Sequence, residues 1–159
     1  MSLLSPAADY GRLSLVSAAV LSAAGGPRGR QAALGGLASL GLTATVVNVV
    51  VRPLGRRRRP DPSALEVPFE RQVRVPTSRS FPSGHSAGAF AFATGVGDTM
   101  PRAGTLLRSV AALVAYSRVH TGVHYPVDVL AGALLGTTLA QVATHRLTRD
   151  GPRRLTGAA

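Results

Sequence analysis

The sequence predicts an all-α fold, a transmembrane bundle of about five helices with an interfacial loop between helices two and three. Three observations lead there. Five long apolar stretches divide the 159 residues. Mean hydropathy is positive, at +0.20, although the formal net charge is +11. That charge gathers in the breaks between the stretches, whereas a soluble helix carries it as a polar face.

The stretches run over roughly Arg12–Ala24, Gln31–Val51, Gly84–Met100, Ala103–Val119 and Val127–Thr144. A bilayer core needs about 20 helical residues. The second and fifth approach that length, and the other three must borrow flanking residues. Arg108 lies near enough to one end of the fourth to snorkel toward headgroups. Glycine and alanine recur throughout (Gly35, Gly88, Gly95, Gly132, Gly136), as suits close helix approach in a membrane. A soluble bundle is the alternative, but the second stretch has no charged face to turn to water.

Breakers separate the helices. Gly25–Arg30 reads as a tight polar turn, and Pro101, Arg102 and Gly104 as another. The longest break, Arg52 to Pro82, is too polar for hydrocarbon and is expected along the interface. The reading is one membrane domain over residues 1–146, then a basic, frayed tail over 147–159. No internal repeat is visible. The start lacks a basic segment ahead of its apolar stretch, so no cleaved signal peptide is expected.

Composition removes several function classes. Without cysteine there are no disulfides, thiolate metal sites or cysteine nucleophiles. All 18 basic residues are arginine, which excludes a lysine Schiff base and a phosphate-loop lysine. A pI near 11.8 would suit nucleic acid, but no Trp, four Phe and three Tyr supply a base-stacking surface poorly. The expected partner is the bilayer, not nucleic acid.

Three segments hold the unusual residues, and helix counting puts all three on one side. They are Arg52 to Arg59-Pro60, Phe81-Pro82-Ser83-Gly84-His85-Ser86, and Ser117-Arg118 to His124 and Asp128. Arg52, Arg59 and Arg118 are permanent cations whose planar forks suit phosphate oxygens. Pro82-Ser83-Gly84 opens a helix, where free N–H groups favour an anion and the Ser83 hydroxyl adds a donor. Pro126 suits the first turn of helix five, leaving His124 at the helix mouth and Asp128 one turn further in. Asp128 is expected to hold the His124 Nδ1–H, freeing Nε2 to attack. His85 is the remaining acid–base group. Each element has another reading. Arg56–Arg59 alone would serve as a lipid-headgroup patch. His120, His124 and Asp128 could form a metal-binding helix face, although Pro126 interrupts such a helix. In a further reading His120 simply lines the site or caps a helix.

Together the segments resemble the type 2 phosphatidic-acid phosphatase family, within the acid phosphatase and vanadium haloperoxidase superfamily. Its motifs read K-x6-R-P, P-S-G-H and S-R-x5-H-x3-D. Ser117-Arg118, His124 and Asp128 match the third in full, and Pro82-Ser83-Gly84-His85 the second. Arg59-Pro60 matches the first in spacing, with Arg52 where the family usually has lysine. Membrane members commonly have six spanning helices, with three before the first motif; this chain has room for two.

The resemblance implies a metal-independent lipid phosphate phosphatase without cofactor, working through a phosphohistidine. His124 would be the nucleophile, Asp128 its orienting carboxylate and His85 the acid and base. Arg52, Arg59, Ser83, Gly84 and Arg118 would bind phosphate. Substrate candidates are polyprenyl diphosphate, phosphatidate, phosphatidylglycerol phosphate and a prenyl-linked sugar phosphate, with a lean toward polyprenyl carriers. With the loop arginines assigned to phosphate, the positive-inside rule puts the Arg28 and Arg102 turns and the tail in the cytoplasm. The chain is then a multi-pass cell-membrane protein with its site outward. A homodimer is permitted by the small residues. Rival readings are a phosphotransferase using the same intermediate, a vanadium haloperoxidase, and a non-enzymatic membrane protein that binds anionic lipid through its arginines.

Overall fold

The computed structural model describes residues 11–55, 57–60, 68 and 78–149, excluding the side chains of 146–149. Every regular element among them is helical. Helix α1 spans Arg12–Ala24 and α2 spans Gly26–Thr45. The latter continues through a π-helical segment, Val46–Val51, into a last α-helical turn, Arg52–Leu54. Then follow α3 (Gly84–Thr99), α4 (Pro101–His120) and α5 (Pro126–Arg149).

Two expected breaks are narrower than the sequence suggested. The residues read as a turn at Pro27–Arg30 form the first turn of α2, and only Gly25 separates it from α1. Likewise Pro101 begins α4 after the single residue Met100. The reason is the same in both places. Proline lacks only an N–H that the first helical turn would leave unpaired, so it starts a helix as readily as it ends one. At the other end, α5 continues to Arg149, past the expected tail boundary at 146/147. Residues 150–159, Arg56 and most of the expected interfacial loop (61–67 and 69–77) lie outside the described residues.

Helix α3 is the centre of the bundle and packs against α2, α4 and α5, while α1 lies on α2. The core is made of small side chains. Ala32, Ala87, Ala91, Ala93 and Val96 are fully buried, with Phe92 as the large filler. Two glycines of α5 let it lie close on α3, because a β-carbon at Gly132 or Gly136 would collide with the backbone carbonyls of Ser83 and Ala87. This close approach of backbones is the usual means of holding helices together where solvent supplies no hydrophobic drive.

The outer surface is apolar. Leu15, Leu34, Val49, Leu106 and Leu134 are all exposed, an exterior suited to hydrocarbon. Among the described residues two helical spans are long and apolar enough to cross a membrane, Gly26–Leu54 with 29 residues and Pro126–His145 with 20. At 1.5 Å per residue the first extends about 43 Å, beyond the roughly 30 Å hydrocarbon core. Its end carrying Arg52 can therefore stand outside hydrocarbon.

The packing gathers four helix ends at one pole: the C-termini of α2 and α4 and the N-termini of α3 and α5. Backbone hydrogen bonds hold them there. The Ser83 N–H donates to the Asp128 carbonyl at 2.9 Å, and the Ser80 N–H to the Arg57 carbonyl at 3.1 Å. Arg79 closes the end of α2, its Nη1 donating to the carbonyls of Pro53 (2.9 Å) and Gly55. These are carbonyls that a helix terminus leaves without an internal partner.

Candidate functional site

The third motif is shaped by how α4 ends. After His120 the chain turns at Gly122, whose φ of 67° lies in the left-handed region that glycine adopts at little cost. The N–H groups of Val123 and His124 both return to the Arg118 carbonyl at 3.2 Å. His124 is thus held at the pole, 3% exposed. Helix α5 then starts with one half of a capping box, the return bond from its third residue. The Asp128 carboxylate Oδ2 reaches back to accept the Tyr125 N–H at 3.1 Å, and this fixes a fully buried acid beside the histidine.

Arg59 comes from the loop after α2 and meets His124 directly. Its Nη1 lies 2.9 Å from His124 Nε2 and donates to the Val123 carbonyl at 3.0 Å. Its Nε donates to the Ser78 carbonyl at 2.8 Å, and Nη2 to the Ser78 hydroxyl at 3.1 Å. The fork is therefore fixed in direction. Arg52 and Arg118 are each close enough to Arg59 for their charges to act on it, so the structure brings these three arginines into one neighbourhood around Arg59. Burial first, and then the repulsion of Arg52, lowers the pKa of Arg59 from its ordinary value. Arg118 is 7% exposed, with Nε donating to the Ser117 hydroxyl at 3.2 Å. Arg52 donates through Nη1 to Asn48 Oδ1 at 2.7 Å, and its buried Nε has no hydrogen-bond partner.

The second motif forms the start of α3. Ser83 is its N-cap, accepting from the Ser86 N–H at 3.5 Å and the Ser86 hydroxyl at 3.0 Å. Its own O–H remains available to donate. Gly84 is buried and His85 half-buried in the first turn. His85 is near enough for its charge to disfavour an imidazolium at His124. His120 stands at the end of α4 with its ring stacked on Tyr116, centroids 5.5 Å apart. Among the described residues no group of three or more His, Asp or Glu forms a metal-holding cluster.

One expected contact is not made as the sequence suggested. Asp128 Oδ2 stands 3.8 Å from His124 Nδ1, too far for a hydrogen bond. That oxygen already takes the Ser80 hydroxyl and the Tyr125 N–H. Arg57 donates to Oδ1 at 3.2 Å, with its guanidinium over the Tyr125 ring at 4.6 Å. Ser80, fully buried, has its hydroxyl oxygen 3.4 Å from His124 Nδ1. Sequence reading missed both Ser80 and Arg57. Nothing separates Arg57 from its arginine neighbours in the run, and Ser80 is an ordinary serine until the loop folds back.

The surroundings also set the protonation of His124. Burial is the largest effect, followed by the Arg59 cation, and both disfavour imidazolium. Asp128 opposes them, and the outcome is a pKa pushed down to about 4. The ring is neutral at pH 7, with Nε2 facing the arginine cluster. A neutral nitrogen nucleophile beside convergent cations is equipped to attack an anionic phosphorus centre.

Comparison with known proteins gives the same direction. The family model of the PAP2 superfamily matches residues 32–151. The decaprenylphosphoryl-5-phosphoribose phosphatase of Mycobacterium tuberculosis is 38% identical over 101 residues, covering 62% of this chain and 52% of that protein. The undecaprenyl-diphosphatase of Sulfolobus acidocaldarius is 44% identical over 78 residues, covering 48% of this chain and 37% of that protein. The chain thus spans about half the length, or less, of the curated relatives it matches. A solved structure, the transmembrane PAP2 type phosphatidylglycerolphosphate phosphatase from Bacillus subtilis, superposes with a TM-score of 0.61 at 27% identity. The match covers 96% of this chain and 73% of that one.

Proposed function

The chain belongs to the PAP2 superfamily, and on that premise we propose that it is an integral-membrane phosphatase hydrolysing a lipid phosphate ester through a phosphohistidine. The observation that carries the reading is the meeting of His124 Nε2 with Arg59 at 2.9 Å, inside a cluster with Arg52 and Arg118.

These positions support the following reaction. Nε2 of His124 attacks phosphorus in line. Arg52, Arg59 and Arg118, with the Ser83 hydroxyl and the Gly84 N–H, hold the non-bridging oxygens where charge accumulates in the transition state. The phosphorus–oxygen bond to the lipid breaks, and His85 gives that oxygen a proton. Water then attacks the phosphohistidine, His85 takes back a proton, and orthophosphate leaves. The arginines supply the positive charge throughout.

A polyprenyl-linked phosphate is the substrate class we favour. Both curated relatives are named for prenyl-linked substrates, and the apolar exterior beside the site can seat a long chain. The pole bearing the site is assigned to the extracytoplasmic face. The opposite pole, with Arg28, Arg30 and Arg102, then meets the positive-inside rule, and all five helices cross the membrane.

The test is orthophosphate release from undecaprenyl diphosphate by detergent-purified protein in excess EDTA, with His124→Ala as the matched control. Release that persists in EDTA and vanishes in the variant supports the reading. Equal release from the variant contradicts it.

A further inference from the structure

We propose that Ser80 is a positioning residue, whose hydroxyl links His124 to Asp128 and sets which imidazole nitrogen carries the proton. The inference rests on the phosphohistidine reading above and deepens it.

The hydrogen-bond inventory leaves one consistent arrangement. A serine hydroxyl has one proton and two lone pairs. Ser80 gives its proton to Asp128 Oδ2, a carboxylate oxygen with none to give in return. The side of Ser80 Oγ facing His124, 3.4 Å from Nδ1, is therefore an acceptor. Nδ1 must carry the proton and direct it to that oxygen. The other nitrogen argues independently for the same tautomer. A guanidinium can only donate, so Arg59 at 2.9 Å requires a lone pair on Nε2. Asp128 cannot do the work of Ser80 itself. It stands 3.8 Å from Nδ1, and its remaining oxygen is held by Arg57.

The arrangement matters most once Nε2 is phosphorylated. The ring then bears positive charge, Nδ1–H becomes a stronger donor, and Ser80 passes that demand to the buried carboxylate. Ser80, Asp128 and His124 are all nearly or fully buried, so bulk water does not substitute for the hydroxyl. The Ser80 backbone carbonyl also favours protonation of His124. It survives replacement of the side chain, which lets a variant separate the two.

The experiment uses the full chain in detergent micelles, labelled with ¹⁵N-histidine, together with steady-state kinetics on Ser80→Ala. Wild-type protein is expected to show the neutral His124 proton on Nδ1. Ser80→Ala is expected to lose about 10- to 100-fold in kcat with KM changed less than about threefold, and to shift the His124 Nδ1–H signal. A wild-type proton on Nε2 overturns the proposal even if the variant does not fold. So does a Ser80→Ala enzyme within about twofold of wild-type kcat, which would leave the carbonyl as the sufficient acceptor. Because the tautomer is read without turnover, an active His124→Ala enzyme would remove the phosphohistidine reading while leaving this measurement interpretable.

Discussion

Arg59 Nη1 and His124 Nε2 lie 2.9 Å apart, so the cation assigned to phosphate donates to the nitrogen assigned to attack. The contact aims the ring and marks Nε2 as its basic nitrogen. It also imposes an exchange, since the Nη1 donor must pass to a phosphate oxygen before Nε2 can reach phosphorus. Arg59→Lys keeps the charge but loses the fork that spans Ser78, Val123 and the imidazole. Its kcat/KM in a phosphate-release assay is expected to fall by about 100-fold or more.

The same environment predicts an unusual acid limb. His124 is pushed down to about 4, so the neutral nucleophile is present above that pH and lost as pH falls through it. The acid limb of log kcat/KM is expected near pH 4, well below the ordinary imidazole range. Arg59→Gln removes a cation that disfavours imidazolium and should move the limb upward. A wild-type limb at the ordinary histidine value would contradict this assignment.

Arg57 joins the site at its edge. Its side chain is 46% exposed while Asp128 is wholly buried, so solvent screens much of the pair. Partly exposed ion pairs contribute about 0.2–1 kcal/mol. Asp128 also keeps the Ser80 hydroxyl and the Tyr125 N–H. Arg57→Ala should therefore lower Tm by only a few degrees and reduce kcat by less than about tenfold, a contrast with Arg59 measurable in one assay.

Packing can be tested apart from chemistry. A side chain at Gly132 would collide with the Ser83 carbonyl, forcing α5 from α3 and straining the Ser83–Asp128 backbone bond at 2.9 Å. Gly132→Val should cost roughly 1–3 kcal/mol and lose activity with stability. Gly41 has open space around its α-carbon, so Gly41→Ala should be neutral or slightly stabilising. Thermal unfolding in detergent compares the two.

Much of this was legible in the sequence because its informative residues are rare. His85, His124 and Asp128, at their spacings from Arg59 and Arg118, marked three segments, and the apolar stretches located each of the five long helices among the described residues. What was not legible depends on tertiary contact. Pro27 and Pro101 read as breakers yet begin helices, since only the packed hairpins show which side of the proline continues. Val46–Val51 reads as plain helix, and its π-helical winding has no local marker. The hand-off from Asp128 to Ser80 needs residues 48 positions apart to meet. No spacing rule reaches across such a loop.

The proposed covalent bond between phosphorus and His124 can be trapped directly. Detergent-purified protein would be mixed with ³²P-labelled undecaprenyl diphosphate, quenched within milliseconds in alkali to preserve phosphohistidine, and mapped by mass spectrometry. Label is expected on His124, decaying as orthophosphate appears and absent from His124→Ala. Orthophosphate release without label on His124, or label on another residue of an active enzyme, would contradict it.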